Sequence, residues 1–144
     1  FDQQQWTPKP LNEVFNYFSD VKNLEELTPP LLNFKVEGKS TENIKEGTKI
    51  YYKLKIRGIP AKWTSLITNW QPMTEFADLQ VKGPYAKWYH RHLFRTLAGG
   101  VLLEDKVVYR LPLARYGGNL LNWFIRKDIK TIFNYRKNRI KAWQ

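Results

Sequence analysis

The chain has 144 residues, 42% of them hydrophobic, and no cysteine: one domain with room for a core, and no disulfide, thiolate metal site or cysteine nucleophile. No apolar run approaches the roughly 18 residues that a membrane span needs, and so apolar a chain is not a disordered tail. The net charge of +11 is uneven, with ten basic and eight acidic side chains in residues 1–72 against fourteen and five in residues 73–144, a field that favours anionic partners.

The first residue is Phe1 rather than Met, which reads as a trimmed chain without a visible signal peptide. Phe1 to Trp6 reads as the end of an edge strand cut at its start. Thr7-Pro8-Lys9-Pro10 breaks it. Leu11, Val14, Phe15 and Phe18 then recur at helical spacing. Asp20 caps a second short helix over Val21 to Leu27, and Thr28-Pro29-Pro30 stops it.

From Leu32 the period changes to two. Leu32, Phe34 and Val36 alternate with polar residues, and Asn43 to Gly47 reads as a turn. Ile50, Tyr52, Leu54 and Ile56 alternate with Lys49, Tyr51, Lys53, Lys55 and Arg57, a half-buried strand with a basic outer face. Turns follow at Gly58-Ile59-Pro60, Gln71-Pro72, Gly83-Pro84 and Gly99-Gly100. Between them, four faces emerge: Trp63, Ser65 and Ile67; Phe76, Asp78 and Gln80; Trp88, His90, His92 and Phe94; and Val101, Leu103, Asp105, Val107, Tyr109 and Leu111 up to Pro112. Strands at this spacing form an antiparallel meander. A long helix, about Gly118 to Ala142, closes the chain. One half of its wheel carries Leu121, Phe124, Ile125, Ile129, Ile132, Phe133, Tyr135, Ile140 and Trp143, with Asp128, Arg136 and Arg139 inside that half. The opposite arc carries Arg126, Lys127, Lys130, Lys137 and Lys141 around Trp123.

These elements predict a single α+β domain over residues 1–144: a curved antiparallel sheet of six to seven strands wrapped around a long C-terminal helix, with two short helices near the N-terminus. Tyr52, Trp63, Phe76, Trp88, Phe94 and Tyr109 share the inner face. They either pack into an aromatic core or line an apolar pocket. Asp78, Gln80, His90, His92 and Asp105 lie in register with them. Unpaired, each would cost about 1–3 kcal/mol when buried, so they pair with each other, with water or with a ligand.

Gly83-Pro84-Tyr85-Ala86-Lys87-Trp88-Tyr89-His90-Arg91-His92-Leu93-Phe94 resembles a GPYxxWxHxHxF signature. Asp105 to Pro112 resembles DxVxYxLP, Ile132-Phe133-Asn134-Tyr135-Arg136 resembles IFxYR, and Asn23-Leu24 through Thr28-Pro29-Pro30 resembles NLxxxTPP. On these motifs the chain is similar to a bacterial branch of the SRPBCC, or START-like, superfamily, which includes birch-pollen-allergen relatives and polyketide cyclases. The resemblance implies a helix-grip fold with a hydrophobic cavity between sheet and long helix, used by relatives for lipids, sterols or polyketides.

The leading expectation is a cytoplasmic binder of a lipid, quinone or polyketide-like molecule. Its pocket takes Tyr52, Trp63, Phe76, Tyr85, Trp88, Phe94 and Ile132 as walls, and Asp78, Gln80, His90, His92, Tyr109 and Arg136 as polar contacts. The long helix serves as lid, with the Gly83-Pro84-Tyr85 turn near the mouth. A second expectation is a cyclase or dehydratase in which His90 or His92 works with Asp78 or Asp105 as acid and base. The same four residues hold donors for zinc or iron, but the ligand set is incomplete, and no metal or cofactor is assigned. Arg136 is expected to snorkel to the rim or to pair with Asp128 or a sheet carboxylate, or else to meet a ligand's carboxylate or phosphate at the pocket end. The third expectation is an anionic membrane contact through Trp123, Arg126, Lys127, Lys130, Lys137 and Lys141. No nucleic-acid-binding motif accompanies the charge, and monomer and homodimer stay open.

Overall fold

A computed structural model describes residues 1–111 and 118–143. Pro112, and the side chain of Leu121, lie outside the described residues. In chain order the elements are β1 (Asp2–Thr7), α1 (Leu11–Ser19), α2 (Lys22–Glu26), a short 3-10 turn (Pro30–Leu32), β2 (Lys35–Lys39), β3 (Lys49–Ile56), β4 (Ile59–Gln71), β5 (Glu75–Lys82), β6 (Lys87–Leu97), β7 (Gly100–Arg110) and α3 (Gly118–Trp143). The seven strands form one antiparallel sheet in the order β1-β7-β6-β5-β4-β3-β2. The predicted meander is therefore present, with β1 added beside the last strand as an edge.

Two local details differ from the sequence reading. Leu32 belongs to the 3-10 turn, and β2 begins only at Lys35. Pro30 at the first position of a helical turn, with the Leu32 amide donating to the Pro29 carbonyl, overrides the alternation there. The β3–β4 hairpin turns on Arg57 and Gly58 alone, both at positive φ (49° and 80°), which matches the right-handed twist of the strands. Pro60 is already paired in β4 opposite Lys55. Asp20 does act at the start of α2, where its carboxylate accepts the Lys22 amide at 3.0 Å.

Bulges curl the sheet, the extra residue being Glu37 in β2, Thr68 in β4 and Val81 in β5. The concave face receives the helices. α1 buries Val14, Phe15 and Phe18 against Phe76, Phe94, Val101, Leu103 and Ile140. α3 buries Ile129 and Phe133 against Val107, flanked by Trp88 and Ile125. Gln3 and Gln5 of β1 reach across to donate to the Phe133 and Lys137 carbonyls at 3.2 and 2.9 Å, and Arg139 holds Glu26 at 2.6 Å. α3 is thereby tied to one edge of the sheet and, at its C-terminal end, to α2.

Packed core and hollow both occur, at different ends of the same face. Where α1 covers the sheet, Phe15, Phe76 and Phe94 meet with ring centroids 5.1–5.9 Å apart. Toward β3, β4 and the β5–β6 turn, the sheet curves away from α3 and the space stays open.

Candidate functional site

The open space is a cavity of about 700 Å³. Its walls are Tyr52 and Leu54 of β3, Trp63, Ser65 and Ile67 of β4, Phe76 and Asp78 of β5, Trp88, His90 and His92 of β6, Tyr85 of the β5–β6 turn, and Ile125, Ile132, Phe133 and Arg136 of α3. Leu24 and Leu27 close the side next to α1. Leu31 and Ile59 sit at the rim and are 84% and 70% exposed, unusual for large aliphatic side chains and a mark of the mouth.

Alternation in β5, β6 and β7 places the polar residues on the inner face. The strand register sets Asp78 opposite His90 and His92 opposite Asp105. The side chains pair diagonally instead: His90 Nε2 lies 2.7 Å from Asp105 Oδ1, and His92 Nε2 lies 2.9 Å from Asp78 Oδ2. The two imidazoles stack at 3.7 Å, and the Phe76 ring continues the stack at 4.2 Å from His92. Arg136 Nη2 reaches down from α3 to within 3.4 Å of His92 Nδ1 and 3.7 Å of Asp105 Oδ1, with its guanidinium over the Phe18 ring.

Charge states follow from this packing. Burial opposes ionisation of Asp105, but the Arg136 guanidinium and the His90 hydrogen bond outweigh it and hold the carboxyl well below the ordinary carboxylate range. Asp78 is lowered in the same way, burial being overcome by the His92 hydrogen bond and by the charges of His90, His92 and Arg136. Burial, reinforced by His90 and Arg136, pulls His92 down to about 4 against the opposing pull of Asp78. At neutral pH His92 is a neutral imidazole whose Nε2–H donates to Asp78, leaving Nδ1 to accept from Arg136. Burial, then the nearby Asp78 charge, pushes the Tyr52 hydroxyl far above its usual range, so it remains a phenol. That phenol is hydrogen-bonded to Ser65 Oγ, which also accepts from Trp63 Nε1 at 3.1 Å. Burial, then Asp128 and Tyr109, pushes Tyr85 up to about 12.

Most of the residues singled out from the sequence meet at this cavity; four stand off its wall. Phe94 lies at the packed end among Phe15, Phe18 and Phe76. Gln80 is consumed by the β5–β6 turn: its amide donates to the Tyr85 carbonyl at 2.7 Å and accepts the Tyr85 amide at 3.1 Å. A Cβ on Gly83 would lie 2.5 Å from the Gln80 amide oxygen, so a larger residue there would displace the Gln80 amide from Tyr85. Tyr109 packs behind Trp88 and Tyr85, and Asp105 sits behind His90 as its partner. Arg136 takes the sheet carboxylate, whereas Asp128 goes to Arg57, which grips it with Nε and Nη2 at 3.0 and 2.8 Å. That bridge across the mouth, and the rim formed by Leu31 and Ile59, were missed from sequence. Exposed aliphatics beside a two-residue turn were the only signal.

Asp78, His90 and His92 bring ligand atoms within 4.8 Å of one another. The stacked rings lie at 29° to one another, however, and each Nε2 is engaged by a carboxylate. An ion taken up on both Nε2 atoms would displace those two hydrogen bonds. As a general base His92 is also poorly placed, since both ring nitrogens have partners. At the inner end, the carboxylate that lines the cavity is that of Asp78.

No family model matches the chain, and no curated protein matches it by sequence. Solved structures do. A START superfamily protein from Mycobacterium smegmatis superposes with a TM-score of 0.68 at 11% identity, over 100% of this chain and 98% of that one. The ginseng major latex-like protein 151 from Panax ginseng gives 0.67 at 11%, over 99% and 94%. The Zhui aromatase/cyclase from Streptomyces sp. R1128 gives 0.64 at 15%, over 98% and 92%. The chain has the START-like helix-grip fold. At these identities the likeness establishes architecture, and the chemistry rests on the residues above. Among the described residues, no helix is long and apolar enough to cross a membrane.

Proposed function

We propose that this helix-grip protein binds a small hydrophobic molecule of the lipid, quinone or polyketide type in the cavity between sheet and α3. The observation that carries this reading is the cavity itself: about 700 Å³, walled by rings and aliphatics, with polar groups gathered at its inner end. A packed two-layer domain has no structural use for such a volume, because interiors otherwise fill to crystal-like density. Absence of cysteine supports a cytoplasmic setting. The test is titration with the neutral fluorophore phenylnaphthylamine. Wild-type protein is expected to bind it saturably, and Ala61→Phe, which projects a ring into the space beside Trp63, is expected to weaken binding at unchanged fold. No saturable binding refutes the reading.

A second reading, acid–base catalysis of a cyclase or dehydratase kind, is favoured by one observation: an ionised carboxylate, Asp78, hydrogen-bonded to an imidazole at the wall of an apolar chamber. The neighbour described as an aromatase/cyclase shares the architecture. Under this reading Asp78→Asn and His92→Ala each lower turnover by about 100-fold or more, whereas a pure binder loses affinity in smaller steps. A membrane approach through α3 is supported by Trp123, 55% exposed with the Lys127 ammonium 5.4 Å from its ring centroid, beside the exposed Arg126 and Lys130.

A further inference from the structure

The charges at the inner end of the cavity constrain what a ligand carries there; this rests on the ligand-binding reading. Asp105 lies behind the wall and is taken by His90. Arg136 is the only guanidinium at that end among the described residues; its Nη2 lies 3.4 Å from His92 Nδ1 and 3.7 Å from Asp105 Oδ1, and its Nε is buried without a hydrogen-bond partner. Asp78 stands on the wall with its side chain 17% exposed, only Oδ2 being held by His92. Two carboxylates against one guanidinium leave a unit negative charge. Protonating one imidazole would bring the cluster only to neutrality. An anionic headgroup would therefore arrive beside a carboxylate, in a cluster that already holds one more carboxylate than guanidinium. A hydroxyl arriving at the same place finds an acceptor in Asp78, and hydrogen bonds to an ionised acceptor are the strong kind. The wall next to that point is ring surface, with Trp63 and Trp88 meeting edge to face at 5.5 Å.

We infer that the ligand is an apolar, ring-bearing molecule whose buried end is a neutral hydrogen-bond donor, a phenol or alcohol, received by the Asp78 carboxylate, and not a carboxylate or phosphate. Free fatty acids and phosphate-bearing lipids are then excluded as head-inward ligands.

The test uses the intact protein and four probes of one shape: naphthalene and its hydroxyl, methoxy and carboxylate derivatives at the same ring position, each titrated by calorimetry at neutral pH. The hydroxyl compound is expected to bind about tenfold or more tighter than the methoxy compound, which keeps the oxygen but lacks the donor, and the carboxylate is expected to bind weakest. Asp78→Asn is expected to shrink the hydroxyl advantage while naphthalene binds as before. If naphthalene and all three derivatives fail to bind, the cavity reading itself falls and this inference with it. If they bind with equal affinity, or the carboxylate binds tightest, the cavity reading stands and the donor inference is overturned. The wild-type order decides this even should Asp78→Asn fail to fold.

Discussion

Replacing Arg136 by Met removes the guanidinium that the buried carboxylates face while keeping most of the stem volume. Arg136 is 8% exposed and stands 3.7 Å from Asp105 Oδ1. A unit charge pair at that separation is worth about 4 kcal/mol at an effective dielectric of about 20, and deleting one partner of a buried pair costs about 3–5 kcal/mol. For a domain of this length the loss corresponds to a melting point lower by roughly 10 °C. Urea denaturation at neutral pH measures it. Two further outcomes separate charge from packing. Asp105→Asn in the same chain recovers part of the loss, so the double variant is less destabilised than the sum of the singles by about 1 kcal/mol or more. The penalty also shrinks in acid, because Asp105 without its guanidinium is less depressed and the variant gives up less when carboxyls protonate. A penalty under about 1 kcal/mol, or strict additivity with Asp105→Asn, would refute the assigned role of Arg136.

Stability is expected to fall as pH drops from 6.5 toward 4, because His92 is held near 4 in the folded chain and the unfolded chain takes up the proton first. The loss is on the order of 3 kcal/mol, and a urea series in His92→Gln flattens that window; an unchanged pH slope would count against a neutral His92. Arg57→Gln cuts the bridge to Asp128 at the mouth, and since both side chains are well exposed (52% and 32%) the stability change stays within about 1 kcal/mol. Stopped-flow fluorescence should nonetheless show faster probe binding and release, and unchanged rates would mean that the bridge does not gate. Phe94→Ala is expected to cost about 3–5 kcal/mol in denaturation and leave probe affinity unchanged; weakened binding at retained stability would return Phe94 to the wall. Sedimentation with anionic vesicles at low and high salt tests the α3 approach, with salt-sensitive binding expected and its absence at low salt contrary to it.

Element types and the inward face were legible in the sequence because period two and period 3.6 are strong signals: the faces of β3 to β7 and the burial of Ile129, Phe133 and Ile140 follow directly. Depth along the face was not. Phe94 and Trp88 have the same parity in β6, yet one lies under α1 and the other on the cavity wall, because bulges in β4 and β5 and the placement of α1 decide where the sheet parts from the helices. Partner choice within the polar cluster was equally hidden. Alternation puts Asp78, His90, His92 and Asp105 together, but the crossed pairing depends on how side chains lean between strands. Arg57 and Asp128, 71 positions apart, meet only once the hairpin has curled over α3.

Diffraction from crystals pressurised with xenon tests the hollow most directly, since a dry apolar cavity takes up the gas whatever the natural ligand is. The account predicts xenon between Trp63, Trp88 and Ile132. A continuous side-chain interior at that position, with no xenon bound, would contradict it.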